Sequence, residues 1–167
     1  WYTNNVRTRA SSYSGATTGR PQLYAPSIYR TKFDATTWNI LSGVRLQNVT
    51  ANTVTVILNF TPRSDSPPAC QTSLPFQDII PPYSSHGYNT RSGGYINGVF
   101  DPNLFLSLEN NGACLDWSGA LEVTATGGGP VVAGTVNTVW IGGDRAGTYS
   151  MLAPEDAKVN VALAKPG

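Results

Sequence analysis

From Thr53 to Phe60 every second residue is apolar, with Val54, Val56, Leu58 and Phe60 on one side and Thr53, Thr55 and Asn59, with Ile57 among them, on the other. Successive side chains of a strand point to opposite faces, so a period of two marks a strand with one face buried. Trp38–Val49 reads the same way, with Val44 and Leu46 on one face, and Val131–Ile141 is a second strong run. Leu23–Arg30 carries Pro26, which cannot donate to a ladder, and is expected at a sheet edge. Phe76–Ile80, Tyr95–Phe100, Leu104–Leu108 and Cys114–Thr126 are further short runs, punctuated by Pro81-Pro82, Asp101-Pro102, Asn111-Gly112 and Gly127–Pro130. Tyr83–Gly94 reads as a long polar excursion. Many short strands spaced by turns predict an all-β, immunoglobulin-like β-sandwich rather than a parallel α/β fold. The division expected is an N-terminal extended arm (1–20), a sandwich (21–155) and a C-terminal strand segment (156–167), donated to or paired with a neighbour.

Charge narrows the function. Eleven Lys and Arg against ten Asp and Glu leave no basic excess of the kind a nucleic-acid binder carries. No run approaches the roughly 20 apolar residues of a membrane span, so no membrane insertion is expected. The chain opens on Trp1, which reads as a processed segment of a secreted, cell-surface protein. Cys70 and Cys114 stand 44 positions apart, and with a single histidine they fall short of a zinc set. In an extracellular chain they read as a disulfide, two buried free thiols being the other reading.

Chemistry is sparse. The lone histidine, His86, lies between Ser84-Ser85 and Gly87 and reads as a solvated loop residue rather than a general base. Glu109, Asp116 and Glu122 read as surface or turn acids rather than a glycosidase pair, and Asp101 with Asn103 as turn chemistry rather than a calcium site. No catalytic set, cofactor or metal is expected, and the chain reads as a non-enzyme. Among the tryptophans, Trp38 and Trp140 are expected in the core, while Trp1 and Trp117 are the candidates for a sugar platform. Asn48-Val49-Thr50 and Asn59-Phe60-Thr61 fit the N-glycosylation pattern, making Asn48 and Asn59 candidate carriers of glycans.

One internal repeat stands out. Arg9-Ala10-Ser11-Ser12-Tyr13-Ser14 matches Arg145-Ala146-Gly147-Thr148-Tyr149-Ser150 at four of six positions, and at the same offset of 136 residues Leu23–Arg30 falls on Val159–Pro166. The first residues thus resemble the end of a domain period, and the last resemble the start of one. Val159, Val161 and Leu163 form one apolar face that suits a groove or an exposed sheet edge; the final strand of the chain's own sandwich is the plain alternative. With Trp1 and Tyr2 they are the expected subunit interface.

Leu23–Pro26, Trp38 with Gly43–Asn48, Thr53–Val56, Trp117–Val123 and Pro130–Asn137 resemble a repeated Ig-like module of large secreted bacterial surface proteins. The resemblance implies a two-sheet scaffold without catalytic residues, serving adhesion, surface display or extracellular filaments, and strand-exchanging pilin-like subunits are similar in architecture. The function expected is a structural filament subunit, whose partners are copies of itself and which polymerises head-to-tail by terminal strand exchange. A carbohydrate-binding or adhesive module is the alternative.

Overall fold

The alternating run becomes a strand whose four apolar residues, Val54, Val56, Leu58 and Phe60, are all buried. In the computed structural model, which describes residues 19–126, 132–143 and 145–154, ten strands form. They are β1 (Gln22–Lys32), β2 (Trp38–Asn48), β3 (Val54–Pro62), β4 (Leu74–Ile80), β5 (Ser85–Asn89), β6 (Gly94–Ile96), β7 (Val99–Asp101), β8 (Asp116–Ala125), β9 (Val132–Trp140) and β10 (Arg145–Ser150). The main sheet runs β10-β9-β2-β1-β8-β3-β4, with β5 also paired to β2, and its ladders are antiparallel. Residues from distant parts of this order, Val136 of β9 and Leu58 and Phe76 of β3 and β4, share one buried cluster, so the sheet folds over onto itself. The all-β, sandwich-like class expected from the alternation is the one observed. Residues 1–18 of the expected arm (1–20), and all of the expected C-terminal segment (156–167), lie outside the described residues.

The strand bearing Pro26 is central, not an edge. β1 pairs with β8 from Gln22 to Thr31, and the register slips between Ala25 and Ile28. The slip places the proline where no ladder bond is required of it, which is how a central strand tolerates one. β1 also changes its other neighbour here. Tyr24 exchanges backbone hydrogen bonds of 2.7 and 2.9 Å with Leu152, whereas Arg30 and Lys32 face Leu41 and Trp38 of β2.

Between β1 and β2 the ladder is thin, and hydroxyl groups complete it. The amide of Tyr29 donates to Ser42 Oγ (3.0 Å), that of Ile40 to Thr31 Oγ1 (3.0 Å) and that of Ser42 to Thr90 Oγ1 (3.1 Å). Thr90 Oγ1 in turn donates to the Tyr29 carbonyl at 2.7 Å. Ser42, Thr31 and Thr90 are buried, and each hydroxyl answers a backbone group that would otherwise be unsatisfied in the interior.

Three further expectations are corrected. Tyr83–Gly94 is not an excursion, since it holds β5, where Tyr88 is buried. Tyr95–Phe100 is two strands, because Asn97 and Gly98 both take positive φ (50° and 81°) and close a β6–β7 hairpin. Leu104–Leu108 is no strand, but leads into a 3-10 turn at Leu106–Glu109. Cys70 and Cys114 form the expected disulfide, with Cα atoms 5.0 Å apart, and tie the turn at Pro68–Cys70 to the loop that carries buried Phe105 and Leu108.

Candidate functional site

A sheet that does not close leaves edges, and the two ends of its strand order, β4 and β10, differ. β4 carries Pro75, is followed by Pro81-Pro82, and is partly covered by the β6–β7 hairpin, whose Asn97 amide donates to the Gln77 carbonyl at 3.0 Å. Prolines and covering segments are the usual protection against edge-to-edge association. β10 has neither. Among the described residues it pairs with β9 alone, from Arg145↔Trp140 to Ser150↔Thr135, and none of its six residues is fully buried.

What holds β10 is its tyrosine. The Tyr149 hydroxyl donates to the Ser27 carbonyl at 2.8 Å and accepts from the Ser27 amide at 3.3 Å. Ser27 lies inside the register slip of β1, so the hydroxyl satisfies both backbone groups of a residue without a ladder partner on β8. Burial pushes the Tyr149 phenol up to about 12, against some opposition from the Ser27 hydrogen bond. A phenol raised on folding adds stability that is fully present below its ordinary range near pH 10, and loses it as pH climbs through about 12. Tyr149→Phe should therefore cost about 1–2 kcal/mol at neutral pH. The difference in melting temperature between the two proteins should shrink on going from pH 9 to pH 12. A gap that stays constant would remove the phenol from this anchor.

On the solvent side of β5, β2, β9 and β10, Asn89, Gly43, Asn137 and Thr148 stand in one row, and an open groove of about 530 Å3 lies over it, with Tyr95 and Phe100 among its walls. Thr148 Oγ1 lies 3.4 Å from Asn137 Oδ1, so β10 supplies the outer margin of this polar face.

Two charged clusters sit elsewhere, one around Asp78 and one around Glu109. Asp78 is fully buried: its Oδ1 accepts from the amides of Ile79 (2.8 Å) and Gly98 (2.7 Å), and its Oδ2 from the Tyr88 hydroxyl (2.6 Å), with His86 Nδ1 also at 2.6 Å. His86 is thus a β5 residue, its ring stacked on Tyr95 at 4.0 Å, and not a solvated loop residue. Burial pushes the Tyr88 phenol far up, and its bond to Asp78 adds to this, so it remains a donor. With both carboxylate oxygens occupied, the cluster joins β4, β5 and the hairpin. Glu109, expected at the surface, takes hydrogen bonds from Arg30 and from Lys32 (2.7 Å). Burial works against its charge, but these two cations outweigh it and hold the carboxyl below its usual range. Arg30 and Lys32 also lie 4.8 and 4.5 Å from the Trp38 ring centre.

The other sequence candidates fall as follows. Asn48 is buried, and its Nδ2, the atom a glycan would occupy, donates to the carbonyls of Asn52, Ile80 and Pro81 at 2.7–3.1 Å. A glycan there is incompatible with this fold. Asn59 is half-buried on β3, between Glu122 and Pro75. Trp117, a candidate sugar platform, is instead buried in the core with its Nε1 donating to the Thr72 carbonyl at 2.9 Å. Trp38 and Trp140, expected in the core, are half-buried. Asp101 accepts from the Asn103 amide at 2.8 Å, as turn chemistry requires, and Asp116 and Glu122 are exposed. Trp1, Tyr2, Val159, Val161 and Leu163 lie outside the described residues. Among the described residues no three of His, Cys, Asp and Glu gather in a way that could hold a metal ion.

No family model and no curated protein sequence matches the chain. In structure it is similar to Thermotoga maritima 1070, known from its crystal structure, with a TM-score of 0.51 and 13% identity over 82% of this chain and 97% of that one. At that identity the likeness speaks to the fold alone.

Proposed function

We propose that the chain is a structural subunit of an extracellular filament or surface assembly, polymerising head-to-tail by strand exchange at an open sheet edge. The observation that carries this reading is β10: an edge strand with no fully buried residue, paired on one side only among the described residues, whose sequence recurs near the start of the same chain. An unprotected edge offers a row of backbone donors and acceptors to another chain, and a contact between two different surfaces of one subunit does not close on itself. The Cys70–Cys114 disulfide suits an oxidising compartment, and the low charge suits a surface packed against copies of itself. Both oxygens of Asp78 take hydrogen bonds and Glu109 is paired with Arg30 and Lys32, which supports reading these groups as scaffold.

The expected result is fibres in negative-stain images of the purified chain. Deleting residues 1–14 or residues 157–167 should leave a sandwich with an unchanged far-ultraviolet spectrum, and at least one deletion should abolish the fibres. Fibres from both truncated forms would sink exchange through the ends.

A further inference from the structure

We infer that residues Arg9–Ser14 of one copy are the donated strand, and that they fill the lane along β9 of a second copy that β10 occupies in the isolated chain. This rests on the strand-exchange reading above and settles a choice that reading leaves open, namely which end is given.

The two ends match strands of very different kinds. At the 136-residue offset the C-terminal Val159–Pro166 corresponds to Leu23–Arg30, which lies in β1. β1 is central, paired with β8 at eight positions, and it buries Leu23, Ala25 and Ile28 at 3%, 0% and 0% exposure. A foreign segment could take that place only by opening the core. Arg9–Ser14 correspond to β10, an edge strand that buries nothing fully. Replacing an edge strand releases β10 from β9 and exchanges one set of ladder bonds for an equivalent set, with Tyr13 taking the place of Tyr149 at the margin of the core, which is strand exchange at a sheet edge.

The lane accepts the arm's residues position by position. Tyr13 stands where Tyr149 stands, so its hydroxyl can meet the Ser27 amide and carbonyl. Ser11 replaces Gly147, where an added Cβ meets nothing nearer than the Trp140 ring at 3.9 Å, an ordinary contact. Ser12 replaces Thr148 and keeps a hydroxyl beside Asn137. Arg9, Ala10 and Ser14 are identical to Arg145, Ala146 and Ser150. The likeness ends at Ser14: the next residue, Gly15, stands where buried Met151 packs over Gly134. The exchanged strand is accordingly the six residues and no more.

Two single-cysteine variants test this. Thr148 and Asn137 are cross-strand partners, so Ser12→Cys in one preparation and Asn137→Cys in another should, when mixed and mildly oxidised, yield a disulfide-linked dimer that neither gives alone. Val161→Cys mixed with Asn137→Cys should yield none. Asn137 is exposed, and a melting temperature within a few degrees of the parent confirms that its variant folds. Fibres without the Ser12–Asn137 link, or a link formed by Val161→Cys instead, would overturn the assignment of the lane while leaving strand exchange standing. A link confined within one chain of the Ser12→Cys/Asn137→Cys double variant would also overturn it. Monomers at every concentration, with no link, would overturn both.

Discussion

Asp78→Ala is expected to lower the unfolding free energy by about 3–5 kcal/mol, the range for breaking a fully buried charged hydrogen-bond set. The carboxylate holds four partners from three places in the chain: the amides of Ile79 and Gly98, the Tyr88 hydroxyl and the His86 ring. Alanine leaves the Tyr88 hydroxyl buried without an acceptor, since the residue is 1% exposed, and each group so stranded costs about 1–3 kcal/mol. Asp78→Asn should lose less, because its amide oxygen still accepts the two backbone N–H groups while the other side of the site is disturbed. Urea denaturation checks the pair: the midpoint should fall in the order wild type, Asn, Ala with the slope unchanged. An alanine variant within 1 kcal/mol of the parent would mean that water replaces the lost acceptor.

This cluster also shows why part of the molecule was hidden in its sequence. The alternation of Thr53–Phe60 is a local signal, and β3 follows from it. β5 has no such signal: Ser85–Asn89 is a polar string, and it becomes a strand because His86 and Tyr88 turn toward an aspartate from another strand. Such a partner, eight to ten residues away and across a Pro-Pro turn, is invisible to any windowed pattern. Pro26 misled in the opposite direction, because its cost in a central strand is removed by the slip in register, itself a property of the assembled sheet. The β6–β7 turn lay inside a run read as one strand, although Asn97-Gly98 is the standard two-residue hairpin signal. Asn48 shows the limit of motif reading, as the triplet around it specifies an acceptor pattern but not whether the side chain is free. Of the candidate site, the match of Arg9–Ser14 to Arg145–Ser150 is legible in the sequence itself. That the matched strand is an edge, and that Tyr149 anchors it to a slipped β1, required the fold.

Removing the disulfide by Cys70→Ser/Cys114→Ser is expected to cost about 4 kcal/mol, from the loss of loop-closure entropy for a loop of this length. The closed loop spans a sequence separation of 44 residues and includes β4, β5 and the β6–β7 hairpin, hence the whole Asp78 cluster. Without the link, the unfolded chain regains the freedom of that loop, while the folded chain keeps other contacts at the same seam. Asn110 Nδ2 still donates to the Ala69 carbonyl at 3.1 Å, Trp117 Nε1 to Thr72, and Phe105 packs edge-on to Phe60 with ring centres 5.2 Å apart. The variant should therefore fold to the same sandwich and melt roughly 8–16 °C lower, using about 2–4 °C per kcal/mol for a chain of this size. The unaltered protein in strong reductant should show the same shift, and the serine variant should be indifferent to reductant. If the loss lies in the entropy of the unfolded loop, it falls on the cluster inside that loop as well. Asp78→Ala in the serine background should then be unfolded at 37 °C, where either change alone is not.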